Sequence, residues 1–321
     1  MTATADGQSS IRVGVSSCLL GQPVRYDGGH KRDTFVVETL GAYVEFVPVC
    51  PEVEMGLGTP RETLRLVRCG EDVRLVMADG ADHTDAMRRF ARRRVEALAD
   101  LDLCGYILKR NSPSCGLARV KVYDANGSPA WTGRGLFAEA LVARLPNLPV
   151  EEEGRLNDAR LRENFIERVF AYRRLKTLFA TRWTMGDLVR FHTAHKLVVL
   201  AHSTEAYRAL GRLVAEGKSV ARADLRERYE SGFMSALARP ATPKKHANVL
   251  QHMVGHLRGR IDDASRDELL ACIEDYRLGL VPLVVPVTLI RHHVRHARVE
   301  YLAGQVYLDP HPKELMLRNH V

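Results

Sequence analysis

Arg110-Asn111-Ser112-Pro113-Ser114-Cys115-Gly116 sets a cysteine in a tight turn of serine, proline and glycine, directly after the apolar run Tyr106-Ile107-Leu108. A short apolar run closed by turn residues reads as a buried strand, and such a turn aims the thiol outward from the strand end. Two more cysteines stand in matching places: Cys18 follows Ile11-Arg12-Val13-Gly14-Val15, and Cys50 follows Tyr43 to Val49. An open parallel sheet binds its ligands in the crevice outside the carboxyl ends of its strands, so three cysteines at three such ends are expected to converge. Against this stands the habit of free cysteine to be buried as a small hydrophobe.

Working outward from these strands, Asp33 is placed to cap a helix to about Leu40, and alternation around 64–67 and 73–77 suits a hairpin. Thr84 or Asp85 opens a helix to about Ala99, with Met87, Phe90, Val95 and Leu98 on its buried side and Arg92-Arg93-Arg94 on a solvated face. Val120 to Tyr123 suits a further strand and Gly135 to Leu145 a helix. Strands alternating with helices give an α/β, Rossmann-like domain with a largely parallel sheet over 11–150, preceded by a disordered polar lead. Pro146 to Gly154, with two prolines and three acidic residues, reads as a linker. Beyond it the texture turns helical, with helices near 157–180, 184–202, 204–216, 221–238, 242–258, 265–279 and 284–299, so 155–321 is expected to be an all-α domain. Two domains also suit a chain of 321 residues.

No apolar run approaches the length that crosses a bilayer, and the first residues lack a charged start with an apolar core, so a cytoplasmic protein without a membrane partner is expected. Six cysteines in such a chain point to reduced thiols for metal binding or chemistry rather than to a disulfide framework. The net charge of +8 is unequally shared: residues 1–150 carry +1, and the rest carries +7 together with 11 of the 13 histidines. A basic second domain is the footprint of a polyanion partner. Lys196, then Lys244, Lys245 and Arg258 along one helix, then Arg291, Arg295 and Arg298 on a later one, are the candidate phosphate contacts. His192 with His195, and His252 with His256, share helix faces, but the sequence places no third ligand beside either pair, so hydrogen-bonded histidines are expected rather than zinc.

Thiolates favour soft metals, yet the intervals between Cys18, Cys50 and Cys115 are too wide for a zinc ribbon or a compact ferredoxin motif, and spacing alone does not name the metal. A four-iron cluster on three cysteines leaves one iron without a protein ligand, a Lewis acid open to substrate. Cys69, Cys104 and Cys272 are expected to be structural. Glu52 and Ser112 lie within three positions of Cys50 and Cys115; a carboxylate there takes a proton from water and a hydroxyl passes one, unless they serve only to cap a helix and close a turn.

Three ordered motifs, Ser16-Ser17-Cys18-Leu19-Leu20-Gly21 with Val24-Arg25-Tyr26-Asp27-Gly28, Pro48-Val49-Cys50-Pro51-Glu52, and Asn111-Ser112-Pro113-Ser114-Cys115-Gly116, resemble the thiouracil desulfidase (TudS) family over about residues 11–150. The remainder, with Phe191-His192-Thr193-Ala194-His195-Lys196, 244–252 and Pro282-Leu283-Val284-Val285-Pro286, resembles the helical YbgA-type domain, and the fusion resembles the bacterial tRNA 4-thiouridine desulfidases. The resemblance implies a [4Fe-4S] cluster held by Cys18, Cys50 and Cys115, proton handling by Glu52 and Ser112, and tRNA containing 4-thiouridine as partner, with no obligate protein partner. Arg25, Tyr26, Lys109 and Asn111 flank the same strand ends and are candidates for orienting the nucleotide. Desulfidation of free thiouracil or thiouridine, and a non-catalytic RNA-binding regulator with a structural metal, are the alternatives.

Overall fold

The computed structural model describes residues 10–124 and 126–321, so the polar lead expected to lack structure falls almost wholly outside the described residues. The chain divides into two compact units, Met1–Asn157 and Asp158–Val321.

In the first unit β1 (Arg12–Ser16), β2 (Glu45–Val49), β5 (Gly105–Leu108) and β8 (Val150–Glu152) form a four-stranded, wholly parallel sheet in the order β2-β1-β5-β8. The chain leaves β1 toward β2 on one side and later adds β5 on the other, so the order reverses at β1, where an open sheet presents its ligand crevice. Gly14 permits the close pairing of β1 with β5, because the Tyr106 ring occupies the space that a side chain there would need. A second sheet, in the order β4-β3-β6-β7, joins the foreseen hairpin of β3 (Leu64–Cys69) and β4 (Asp72–Met77) to a second antiparallel pair, β6 (Val120–Tyr123) and β7 (Pro129–Gly133). The parallel character therefore belongs to the first sheet; in the second, only β3 and β6 run parallel.

Helices α1 (Pro51–Glu54), α2 (Thr84–Ala99) and α3 (Leu136–Arg144) complete the unit. Met87, Phe90, Val95 and Leu98 are buried on α2, as the periodicity requires. Asp33 does accept from Val36 N at 2.9 Å, but the segment it caps is a π-helical turn, Phe35–Thr39, running into a 3₁₀ turn, rather than an α-helix. Arg94 departs from the solvated face expected of the arginine run, pairing at 2.8 Å with Glu54 of α1.

The largest correction concerns 146–154. Its core is the edge strand β8, and Glu151, Glu152 and Glu153 are all buried. Three consecutive glutamates look like solvated linker because burying a carboxylate is costly unless it is paired or hydrogen-bonded; here each one is, as shown below.

The second unit is all helical among its described residues: α4 (Ala159–Ala180), α5 (Met185–His202), α6 (Thr204–Ala215), α7 (Arg222–Leu237), α8 (Pro243–Leu257), α9 (Asp263–Arg277), α10 (Val284–His296) and the short α11 (Glu300–Ala303). Caps explain the starts: Asp158, Ser203, Thr242 and Asp262 each accept backbone N–H groups, and Thr184 with Asp187 forms a capping box. No helix among the described residues is long and apolar enough to cross a membrane.

Candidate active site

All three strand-end cysteines line one cleft of about 440 Å³, beyond the carboxyl ends of β2, β1 and β5. Cys18 sits in the 3₁₀ turn Ser17–Leu20 after β1, Cys50 precedes α1, and Cys115 closes the turn after β5. Glu52, Ser112, Arg25, Tyr26, Lys109 and Asn111 line the same cleft, so every residue assigned to this site by its place in the sequence is brought to it. Cys104, Cys69 and Cys272 are not in its lining.

The turn carrying Cys115 is held from all sides. Ser112 Oγ accepts from Ser114 N at 3.2 Å and Cys115 N at 3.0 Å, which leaves its own O–H proton to donate. The first turn of α3 donates into the same loop, Phe137 N and Ala138 N to Ser114 O at 3.0 and 3.2 Å. Glu152 accepts from Leu117 N at 2.8 Å; Glu153 accepts from Arg110 N at 2.8 Å and pairs with the Lys109 ammonium. Glu151 takes Arg155 at 2.7 Å. The segment that reads as a linker is thus the floor of the cysteine turn. Ser16 Oγ, at the end of β1, accepts from Lys109 N at 2.9 Å and joins the two strand ends.

Glu52 is fixed at both oxygens. Arg61 donates to Oε2 from Nε at 3.0 Å and also from Nη2, and Ser114 donates to Oε1 at 2.9 Å. Arg61, at the end of a Gly/Pro loop, does not stand out in the sequence, and Ser114, although it adjoins Cys115, meets Glu52 across 62 residues. Arg25 pairs with Asp27 and lies over the Tyr26 ring at 5.3 Å, giving the cleft an aromatic and cationic wall.

Burial governs the thiols. It pushes Cys18 up to about 11 against the pull of the Lys109 ammonium, raises Cys50, and raises Cys115 well above the usual thiol value, with the Glu52 charge adding to burial. All three are free of disulfides. Buried thiols that resist ionisation in water become good ligands when a soft cationic centre supplies the opposing charge.

Residues 13–153 match the family described as 2-thiouracil desulfurase, and residues 196–312 match DUF1722, described as a protein of unknown function. Uncharacterized protein YbbK of Bacillus subtilis (strain 168) is 33% identical over 150 residues, 45% of this chain and 97% of YbbK. The chain belongs to the 2-thiouracil desulfurase family. Its desulfurase domain is joined to a YbgA-like helical domain: uncharacterized protein YbgA of Escherichia coli (strain K12) is 35% identical over 165 residues, 51% of this chain and 98% of YbgA. A solved structure of the [4Fe-4S]-dependent thiouracil desulfidase TudS (DUF523Vcz) is 35% identical over 46% of this chain and 94% of its own, with a TM-score of 0.38.

In the YbgA-like domain the candidate phosphate contacts separate into two groups. Lys244, Arg258, Arg295 and Arg298 are exposed, and Lys196 lies over the Tyr301 ring at 4.8 Å. Lys245 instead donates to His202 O at 2.6 Å, and Arg291 pairs with Asp309 and donates to Leu308 O, so these two hold the fold. Arg291, Arg295, His292 and His296 with Thr288 line a groove along α10. His192 Nδ1 meets the Tyr229 hydroxyl at 3.1 Å, and His195 Nδ1 donates to Phe191 O at 2.8 Å.

Proposed function

We propose that this chain hydrolyses the C=S bond of a thionated pyrimidine, with 4-thiouridine in tRNA as its substrate. The observation that carries the reading is the convergence of Cys18, Cys50 and Cys115, with Glu52 and Ser112, in one cleft of the desulfurase domain. The donor set fits an iron–sulfur cluster: three soft thiols, buried at Cys18 and Cys115 and half-buried at Cys50, with the one carboxylate in the lining, Glu52, already committed to Arg61 and Ser114. Among the described residues no three histidine, cysteine or acidic side chains meet closely enough to ligate one ion. Thiols that follow three adjacent strands suit a cluster whose irons each take one of them.

A [4Fe-4S] cluster on these three cysteines supplies a Lewis-acidic iron for the thione sulfur. The chain's own residues do the rest. Tyr26 offers a face on which a base stacks, and Arg25, Lys109 and Asn111 edge the cleft for its sugar and phosphate. Glu52 takes one proton from the water that adds to C4, Ser112 gives its proton to the sulfur as the C–S bond breaks, and the C4 hydroxyl proton restores Ser112 as C=O forms, so that C=S and H₂O become C=O, HS⁻ and the proton held by Glu52, without net redox. The exposed cations of the helical domain suit tRNA phosphates. Because 4-thiouridine is stacked within folded tRNA, the base must leave the stack to enter the cleft.

Free 2-thiouracil is the second reading, favoured by the family's own description. Anaerobically reconstituted protein is tested by loss of the thione from bulk tRNA, from 4-thiouridine and from 2-thiouracil. Turnover of tRNA that weakens with salt supports the main reading; turnover of the free base alone supports the second.

A further inference from the structure

Arg61 is the one cation of the cleft lining that is both almost wholly buried, with 4% of its side chain exposed, and bonded at every nitrogen. Nε and Nη2 go to Glu52 Oε2, while Nη1 donates to Gly58 O at 2.9 Å and Val24 O at 3.1 Å. Its backbone N–H donates to Tyr26 O at 2.9 Å. One side chain therefore joins three parts of the cleft: the carboxylate after β2, the loop that carries Arg25 and Tyr26, and the Gly/Pro loop that ends at Arg61 itself. A guanidinium that served only to close its own loop would not need Glu52. A carboxylate that served only as a helix cap would not need an arginine fork on one oxygen and a buried serine, Ser114, on the other.

We propose that Arg61 is the positioning residue of the desulfidation site, an inference that rests on the reading given above. By holding Oε2 with two converging donors, Arg61 fixes the Glu52 carboxylate and leaves Oε1, which accepts from the Ser114 hydroxyl, as the oxygen for the proton of water. Through Val24 O the same guanidinium sets the distance from that oxygen to the wall of the recognition loop. Arg61 exchanges no proton in the reaction; it acts through Glu52. Lysine does not replace it, because a single ammonium has no planar fork to span both the carboxylate and the Val24 and Gly58 carbonyls.

The test uses full-length, anaerobically reconstituted protein, with iron content, kcat and KM measured for wild type, Arg61→Ala and Arg61→Lys on 4-thiouridine tRNA and on 2-thiouracil. Arg61→Ala is expected to keep its iron and to lose about 10²-fold in kcat, with a smaller change in KM. Guanidinium added to Arg61→Ala is expected to restore at least a tenth of the lost kcat while leaving wild type unchanged, a response that mere loosening of the loop does not give. If Arg61→Ala sheds its iron, Arg61→Lys must show the fall in kcat with iron retained. An active wild type beside variants whose kcat stays within threefold, or beside variants that both lose iron and ignore guanidinium, overturns the role of Arg61. A loaded wild type that removes no sulfur from either substrate overturns the desulfidation reading, and the role of Arg61 falls with it.

Discussion

A methyl group added at Gly14 would lie 2.2 Å from the Tyr106 ring, and one at Gly116 would lie 2.3 Å from Val120 Cγ2 and 2.8 Å from Ser112 O. The two glycines do different work. Gly14→Ala overpacks the β1–β5 contact in the body of the sheet and is expected to cost about 1–3 kcal/mol, or more, in urea unfolding, with iron per folded molecule unchanged. Gly116→Ala displaces the turn that aims Cys115 and is expected to lower the iron bound per folded molecule. Glu52→Gln keeps the shape but not the base; a fall of about 10²–10⁴-fold in kcat with iron retained is expected, and a kcat near that of wild type would remove Glu52 from the chemistry. At this scale the sequence is legible where function follows local position: a cysteine after an apolar run, or a polar residue within three positions of it. Arg61 is illegible because it acts through Glu52, and folding alone brings the two together; Ser114 sits in plain view beside Cys115, but its bond to Glu52 is equally hidden.

Among the elements, β8 and the glutamate that directly follows it decide whether the cysteine turn stands. Glu153 is held by the Lys109 ammonium and Arg110 N, with only 11% of its side chain exposed. Glu153→Ala leaves a half-buried ammonium and a backbone N–H without their partner, so a loss of about 3 kcal/mol is expected in the desulfurase domain, together with weaker iron retention. An unfolding midpoint equal to that of wild type would return 151–153 to the status of a linker. The strands β1, β2 and β5 are legible as apolar runs and the long helices as periodic ones with caps. The edge strands β7 and β8 are not, because Pro129 to Gly133 and Val150 to Glu152 lack the alternation that marks a strand. They pair because a neighbouring strand offers free backbone groups, a preference set by tertiary context.

The whole molecule carries its second set of buried charges in the helical domain. Glu163, Glu167, His202, His311 and Arg318 lie together, with Arg318 at 3.2 Å from Glu163 and 3.5 Å from Glu167, and His202 Nε2 at 2.8 Å from Glu167. Burial holds His195 and His246 neutral, each lowered to about 3. In the unfolded chain both would titrate near 6.5, so below that pH the unfolded state binds the extra protons and stability falls with falling pH; at pH 5 the loss is about 2 kcal/mol for each. His202 works the other way. Burial would lower it, but the Glu167 carboxylate raises it, so its contribution is present below the unfolded value and lost as pH rises through the folded one. Burial lowers His192 as well, to about 4, so three histidines oppose one, and the helical domain is expected to melt at lower temperature at pH 5 than at pH 7.5; an unchanged melting temperature would contradict neutral burial of His192, His195 and His246. The charge split between the halves of the chain was plain in composition. Which cations remain free was not: Lys245 and Arg291 are spent on backbone carbonyls, in contacts that no spacing reveals.

The measurement that bears most directly on the central claim is thione loss from 4-thiouridine tRNA by anaerobically reconstituted, full-length protein, run beside Cys18→Ala, Cys50→Ala and Cys115→Ala. Loss of the near-ultraviolet thione absorbance with release of sulfide by wild type, and by none of the three variants, is the expected result. Thione loss that persists in any one of the three, or its absence from cluster-loaded wild type on tRNA and on 2-thiouracil alike, would contradict the account.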